Sequence, residues 1–281
     1  MSDARIAGLY VYPVKGARGL AIDAATAAAT GLGVAGVADR EWMVIRPDGR
    51  FLTQRELPRL VLVVPEVDDD VLMLGTGERA AVAIPLRHPH GATREVTVWR
   101  SHVRGFDEGD DAARWLSAHL DCAVRLVRFD RSKQRDCNPE FVGDSGAHTL
   151  FADGYPVLVI GTASLEDLNE RLGAAGEDAL PMNRFRPNIV LDDLPAYDED
   201  HLDTLAIGDV VLRMVKPCIR CQVTTTDQDT AVVGREPLTT LAGYRHDERL
   251  EGVAFGMNAI VAQGVGGTVA VGDAAGVRYR F

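Results

Sequence analysis

Through the first part of the chain, apolar residues come in short β-prone runs separated by glycine, proline and aspartate. Runs bounded in this way read as strands. They predict strands over residues 6–14, 42–45, 60–64, 71–74, 81–84 and 96–99. Pro47-Asp48-Gly49 between two of them is a turn signal. Residues 126–129 close this first β-rich region. The period changes over 110–120. Ala112, Trp115, Leu116, His119 and Leu120 recur at three- and four-residue spacing, which marks one face of a helix. Asp110 and Asp111 sit at its N-terminal end, where the helix dipole favours anions.

Residues 130–147 are polar, with Lys133, Arg135, Asp136, Asn138 and Gly143 among them. They read as a connecting loop long enough to be functional. Residues 157–160 then read as a strand. A second helix follows, with Ser164 as its N-cap and Asp167 three residues on, an acidic variant of the capping box. Leu165, Leu168 and Leu172 form its buried stripe. Residues 210–215 and 258–262 are further strands. Gly264-Val265-Gly266-Gly267 leads into a strand-like run, so it reads as a hairpin turn; a phosphate loop would open a helix. Many short strands and two helices predict a mainly β protein with peripheral helices, an α+β arrangement in two β-rich domains at 1–129 and 145–281.

The 281 residues supply enough material for two modest cores. Lys and Arg total 30 against 41 Asp and Glu, a net charge of −11. That argues against a nucleic-acid partner, which needs a basic field. On this acidic background, clustered arginines stand out as candidate anion ligands, the alternative for each being plain surface charge. No apolar run approaches the roughly 18 residues of a membrane span. Met1-Ser2-Asp3-Ala4-Arg5 lacks the layout of a signal peptide. The four cysteines, Cys122, Cys137, Cys218 and Cys221, are too sparse for a secreted disulfide framework. The expectation is a cytoplasmic protein with reduced thiols and no membrane association.

The chemistry concentrates between Asn183 and Thr230. Arg186 and Asn188, two apart on a predicted strand, would point to the same side. An arginine fork suits a phosphate, and an amide offers both donors and acceptors. Cys218-Ile219-Arg220-Cys221 adds two thiols, and a thiolate is a soft metal ligand. Together they suggest a metal held by sulfur whose organic carrier is held by salt bridges. Three other readings of the thiols stay open. A structural zinc site needs two further ligands, and no second Cys-x-x-Cys or His pair supplies them. A redox pair would open a helix in a βαβ setting, whereas Gln222-Val223-Thr224-Thr225-Thr226 is β-prone. The third reading is a pair of inert buried thiols. His148, His201 and His246 receive no catalytic role. Asp227 and Asp229 are candidate proton relays or simply turn residues.

This stretch resembles the MOSC domain of molybdenum cofactor sulfurases and of the amidoxime-reducing enzymes. Arg184-Phe185-Arg186-Pro187-Asn188-Ile189-Val190, Ala206-Ile207-Gly208-Asp209-Val210 and Lys216-Pro217-Cys218-Ile219-Arg220-Cys221-Gln222-Val223-Thr224-Thr225 carry the likeness. Upstream, Leu9-Tyr10-Val11-Tyr12-Pro13-Val14-Lys15-Gly16, Asp39-Arg40-Glu41-Trp42-Met43-Val44 and Phe51-Leu52-Thr53-Gln54-Arg55 resemble the β-barrel domain that precedes MOSC in that family. Phe151-Ala152-Asp153-Gly154-Tyr155-Pro156 resembles the entry into MOSC. The resemblance implies an N-terminal β-barrel-like domain followed by a MOSC β-barrel. It also implies a molybdenum cofactor, an anionic pyranopterin with a dithiolene and a terminal phosphate. Cys221 would be the catalytic sulfur ligand to molybdenum. Lys15, Arg40, Arg186, Asn188, Arg220, Cys221 and Asn258 would contact the cofactor. The bland alternatives are a solvated strand end for Lys15 and a salt bridge to Asp39 or Glu41 for Arg40. Some relatives carry serine at Gly16, tyrosine at Asn258 and proline at Gln228. Arg220 beside Cys221 offers the charge that favours a thiolate. Cys218 is expected to pack as a small hydrophobe. Residues three apart on a strand face opposite sides, so a shared metal would require a bend or bulge.

The implied reaction is two-electron reduction of an N–O bond in small N-hydroxylated compounds, with the oxygen leaving as water. The sequence shows no four-cysteine cluster pattern and no flavin signature. Electrons are therefore expected from a separate protein, of ferredoxin, flavoprotein or b-type cytochrome type. The rival function is a molybdenum-cofactor binding, carrier or sulfur-transfer module without redox turnover. The chain has no room for a pyridoxal-phosphate domain, so that cofactor is not expected. A third reading is a non-catalytic β-rich scaffold that purifies without metal.

Overall fold

The Asp3–Val11 strand joins the far end of the chain. It pairs antiparallel with Ile189–Asp192 and with Ala274–Tyr279. The structure, a computed structural model, describes residues 3–87 and 91–280. From the Asp3–Val11 strand the sheet runs on through Ala274–Tyr279, Leu202–Ile207, Val210–Ile219 and Gly252–Gln263. Gly252–Gln263 then pairs with Val157–Gly161, which lies beside Ile189–Asp192. The result is a closed barrel of seven strands. Closure leaves no unpaired edge in these strands. Alternate side chains fill the interior, among them Ile6, Leu9, Leu205, Ile207, Leu212, Met214, Met257 and Val277. Ile6 is fully buried, so Ile6→Ala should cost about 2–5 kcal/mol in urea unfolding. A loss within experimental scatter would mean that the first strand contributes nothing to the barrel core.

The region between residues 14 and 129 forms its own β layers. A five-stranded sheet contains Val14–Lys15, Trp42–Ile45, Thr93–Val98, Ser101–Asp107 and Arg125–Phe129. A three-stranded sheet contains Val64–Asp68, Val71–Thr76 and Arg79–Pro85. The Asp110–Leu120 helix packs Ala112, Leu116 and Leu120 into the same core as Trp42, Leu72, Leu74 and Leu126. A small sheet joins Ala24–Ala28, Gly31–Val34 and Val37–Ala38 to Thr268–Ala270 from the end of the chain. The mainly β, barrel-based architecture expected from the sequence is what forms.

Four local expectations change. Pro58 opens a 3-10 helix, Pro58–Leu62, where residues 60–64 suggested a strand. Proline suits a first helical position because its missing N–H needs no partner there. The second helix, Thr162–Ala174, starts two residues before Ser164 and has Gly161 as its N-cap. Ser164 is buried and its hydroxyl donates to Glu199 Oε2 at 2.7 Å, while Gly161 N–H donates to Glu199 Oε1 at 3.1 Å. A buried carboxylate has claimed the hydroxyl that local sequence assigned to a cap. Gly264–Gly267 does turn the chain, but Thr268–Ala270 pairs with Ala24–Ala28 and not with the preceding strand. It is a crossing between sheets and not a hairpin. Gln222–Thr225, β-prone by composition, is one turn of 3-10 helix.

Candidate functional site

All seven residues singled out by the sequence line one cavity between the barrel and the N-terminal β layers. Lys15, Arg40, Arg186, Asn188, Arg220, Cys221 and Asn258 surround about 950 Å³ of space, counting its open mouth. Lys15 comes from the end of a short strand and Asn258 from a barrel strand. The others stand on turns. Arg40 and Arg186 both take left-handed backbone, with φ of 49° and 57°. Arg186 is therefore not on a strand with Asn188, since the strand begins at Ile189. The two still reach the same cavity, through the turn.

A buried carboxylate organises the wall. Asp39 Oδ1 accepts the Tyr12 N–H at 2.9 Å and Asn188 Nδ2 at 3.0 Å, and its Oδ2 pairs with Arg40. Asn188 Oδ1 accepts the Leu158 N–H at 3.1 Å and Arg40 Nη1 at 3.2 Å. Asn188 Nδ2 also donates to the Tyr10 carbonyl at 3.1 Å. An amide has two donors and two acceptor sites, and all four are used. Asn188 thus fixes Arg40, and the protein itself fills all four of its side-chain hydrogen-bonding positions. Arg40 shows the salt bridge to Asp39 that was its bland alternative, while remaining in the cavity wall.

Tyr12 carries the arginines. The guanidinium carbons of Arg40 and Arg186 lie 4.2 Å and 4.3 Å from its ring centroid. Its hydroxyl donates to the Pro187 carbonyl at 3.0 Å. Burial raises the phenol's pKa, and the two arginines only partly oppose this. Arg186 donates to the Ala17 carbonyl at 2.7 Å, and no carboxylate pairs with it among the described residues. Burial lowers its pKa to about 10, so it remains charged at neutral pH. Lys15 is buried, unlike a solvated strand end. It donates to the Phe151 carbonyl at 2.8 Å and pairs with Asp153. Burial lowers the lysine, against the pull of Asp153. Asp153 is largely exposed at the cavity, and Lys15 with the Trp99 N–H holds its carboxyl below its usual range.

Two models match the chain: the MOSC N-terminal beta barrel domain over residues 3–122 and the MOSC domain over residues 147–275. Mitochondrial amidoxime reducing component 2 of Bos taurus is 38% identical over 245 residues, covering 85% of this chain and 72% of that protein. Mitochondrial amidoxime-reducing component 1 of Mus musculus is 37% identical, covering 95% and 80%. The Homo sapiens component 1 is 36% identical, covering 95% and 81%. This chain belongs to the amidoxime-reducing MOSC family. Among solved structures, the Bacillus subtilis YUAD protein aligns over 99% of this chain at 11% identity, with a TM-score of 0.40. That likeness is too weak to argue from.

In this family member the thiols flank a bend. Cys218 lies near the end of Val210–Ile219, whose register shifts between Pro217 and Ile219. The chain then leaves the strand, and Cys221 opens the Gln222–Thr225 turn. The bend places both thiols in the cavity lining, not on opposite faces. Cys218 is half-buried against the apolar cluster of Phe185 and Phe255, whereas Cys221 is exposed. Arg220 turns towards the other sulfur: its Nη1 lies 2.9 Å from Cys218 Sγ and its Nη2 2.6 Å from the Phe185 carbonyl. The charge expected beside Cys221 is therefore spent on Cys218. Asn258 donates to the Lys216 and Pro217 carbonyls at 3.2 and 3.5 Å, tying its strand to the bend.

Some polar capacity at the cavity has no protein partner. Arg220 Nε and Gln54 Oε1 are both buried without a hydrogen bond. Such groups are costly unless something satisfies them. Together with Arg186, which no carboxylate pairs among the described residues, and exposed Cys221, they suit an anionic, donor- and acceptor-rich group carrying a metal. No three His, Cys, Asp or Glu side chains gather into a metal site among the described residues. His148, His201 and His246 do not line the cavity. Asp227 accepts from Thr230 and pairs with Arg184, and Asp229 pairs with Arg18, so both fill turn roles. Sequence reasoning missed Tyr12, Gln54, Trp99 and Asp153, and met Asp39 only as an alternative partner for Arg40. Tyr12, Gln54 and Asp153 stand inside quoted motifs and Trp99 ends the predicted strand over 96–99, but their roles depend on partners far along the chain.

Proposed function

We propose that this protein is a molybdenum-dependent oxidoreductase that reduces small N-hydroxylated compounds, with the cofactor in this cavity and Cys221 as its protein ligand. The observation that carries the reading is the cavity itself: an exposed thiol, an arginine that no carboxylate pairs among the described residues and two buried groups without a hydrogen bond among them, in a member of the amidoxime-reducing family. When bound, the cofactor supplies the two-electron chemistry at the N–O bond. Arg186 and Arg220 hold its anionic part by charge-assisted bonds. Tyr12, Asp39 and Asn188 hold Arg40 and Arg186 in place before any ligand arrives, so little ordering remains at binding. Lys15 is fixed by Asp153 and the Phe151 carbonyl. Cys221 offers the soft sulfur donor.

The relatives are named as components. That fits electrons arriving from a separate protein of ferredoxin, flavoprotein or b-type cytochrome type. All four cysteines are free, as a reducing compartment keeps them, and on that ground we place the protein in the cytoplasm. The relatives carry a mitochondrial name. No helix among the described residues is long and apolar enough to cross a membrane.

The test is turnover by molybdenum-loaded protein. Amidine should form from an amidoxime when a reduced viologen supplies electrons. NADH alone, with no partner protein, should give none. Turnover with NADH alone would reveal a redox centre beyond this cavity. Full metal loading without viologen-driven turnover would make the protein a cofactor carrier.

A further inference from the structure

Trp99 stands at the cavity mouth in a conformation that its own side chain disfavours. Thr93–Val98 and Ser101–Asp107 form a hairpin whose last pair is Val98 and Ser101, leaving Trp99 and Arg100 as a two-residue turn. Trp99 has a φ of 55°. Turns of this length favour glycine or asparagine at positive φ, and a bulky residue there is an outlier. Strain of this kind persists where the surroundings enforce it, and it clusters at functional sites.

The surroundings do enforce it. The Arg55 guanidinium carbon lies 4.7 Å from the Trp99 ring centroid, and the Phe51 ring lies 5.1 Å away at 59°. The indole Nε1 donates to Asp153 Oδ1 at 2.8 Å. Asp153 is itself held by Lys15 and by Arg135, whose Nη2 donates to its carbonyl at 2.8 Å. The indole is thus clamped, yet 44% of Trp99 remains exposed and it lines the cavity.

We propose that Trp99 is a specificity-determining residue, an immobilised aromatic platform on which aryl N-hydroxylated substrates stack as they enter the cavity. This rests on the reaction proposed above. Offset or edge contacts between aromatic rings are favourable beyond the area they bury. An indole already locked by Arg55, Phe51 and Asp153 loses little freedom when a ring docks. Alkyl amidoximes receive no such contact, so the platform discriminates between substrates that carry the same reacting group.

The experiment compares benzamidoxime with acetamidoxime in molybdenum-loaded wild type, Trp99→Ala and Trp99→Phe. Trp99→Ala should raise the KM for benzamidoxime about tenfold, the upper range for one aromatic pair. Its kcat should stay within about twofold, the sign of lost binding shared by ground and transition states. Acetamidoxime kinetics and molybdenum content should not change, and Trp99→Phe should recover most of the benzamidoxime KM. Equal loss for both substrates, or loss of molybdenum, would overturn the proposal. A second readout avoids turnover. Benzamidine, which has no N–O bond to reduce, should quench tryptophan fluorescence in the wild type and not in Trp99→Phe. Quenching without reduction of any amidoxime would remove the proposed reaction and leave the platform. Reduction without quenching would remove the platform.

Discussion

Cys221→Ser protein should show no detectable turnover while retaining its pterin, and Cys218→Ser protein should stay active. Serine replaces a soft thiolate with a hard, protonated hydroxyl that a thiolate-selecting metal site does not accept. The fold should survive. The Cys221 carbonyl accepts the Thr224 N–H and hydroxyl, both at 3.0 Å, and neither bond involves the sulfur. At position 218 a serine hydroxyl can still accept the Arg220 bond that Cys218 receives. It loses only part of the contact with the Phe185 and Phe255 cluster. Rates for one N-hydroxylated substrate, corrected for molybdenum content, decide the matter. Because Arg220 faces Cys218, the reverse outcome has a clear meaning: a dead Cys218→Ser beside an active Cys221→Ser makes Cys218 the ligand. Two active variants would remove thiolate ligation altogether.

The second large effect is on cofactor retention. Arg186→Ala should lower cofactor occupancy more than Arg5→Ala does. Arg5 is exposed, and its one ion pair among the described residues spans 3.7 Å to exposed Asp193. Arg186 is buried, stacked on Tyr12 and unpaired with any carboxylate among the described residues. One charge-assisted bond is worth about 1.5–3 kcal/mol, or roughly a 10- to 100-fold change in affinity. Arg186→Lys keeps the charge without the fork and should fall between the two, which separates ligand contact from loss of fold. Equal molybdenum content in Arg186→Ala and Arg5→Ala would strike Arg186 from the site.

The legible parts of the fold were those with local signatures. The Asp110–Leu120 helix announced itself through period and charge, and the strand at Trp42–Ile45 through its apolar run. Barrel closure did not, because the pairing of Asp3–Val11 with Ile189–Asp192 and Ala274–Tyr279 joins residues most of a chain length apart. Ser164 reads as a cap until Glu199, 35 residues on, claims its hydroxyl. The site shows the same division. Lys15, Arg40, Arg186, Arg220 and Cys221 were visible as charges and a thiol within motifs. Whether a charge is free depends on its partners in the fold: Asp153, far along the chain, for Lys15, and the near neighbours Asp39 for Arg40 and Cys218 for Arg220. Asn188 shows how far this goes, since its residue type offers four hydrogen-bonding positions and Tyr10, Asp39, Arg40 and Leu158, all far along the chain, fill them.

Metal and pterin analysis of protein made in a host that synthesises the molybdenum cofactor tests the central claim most directly. The account predicts near-stoichiometric molybdenum and a pterin that becomes fluorescent after oxidation. Zinc bound at Cys218 and Cys221 with no pterin present would contradict it.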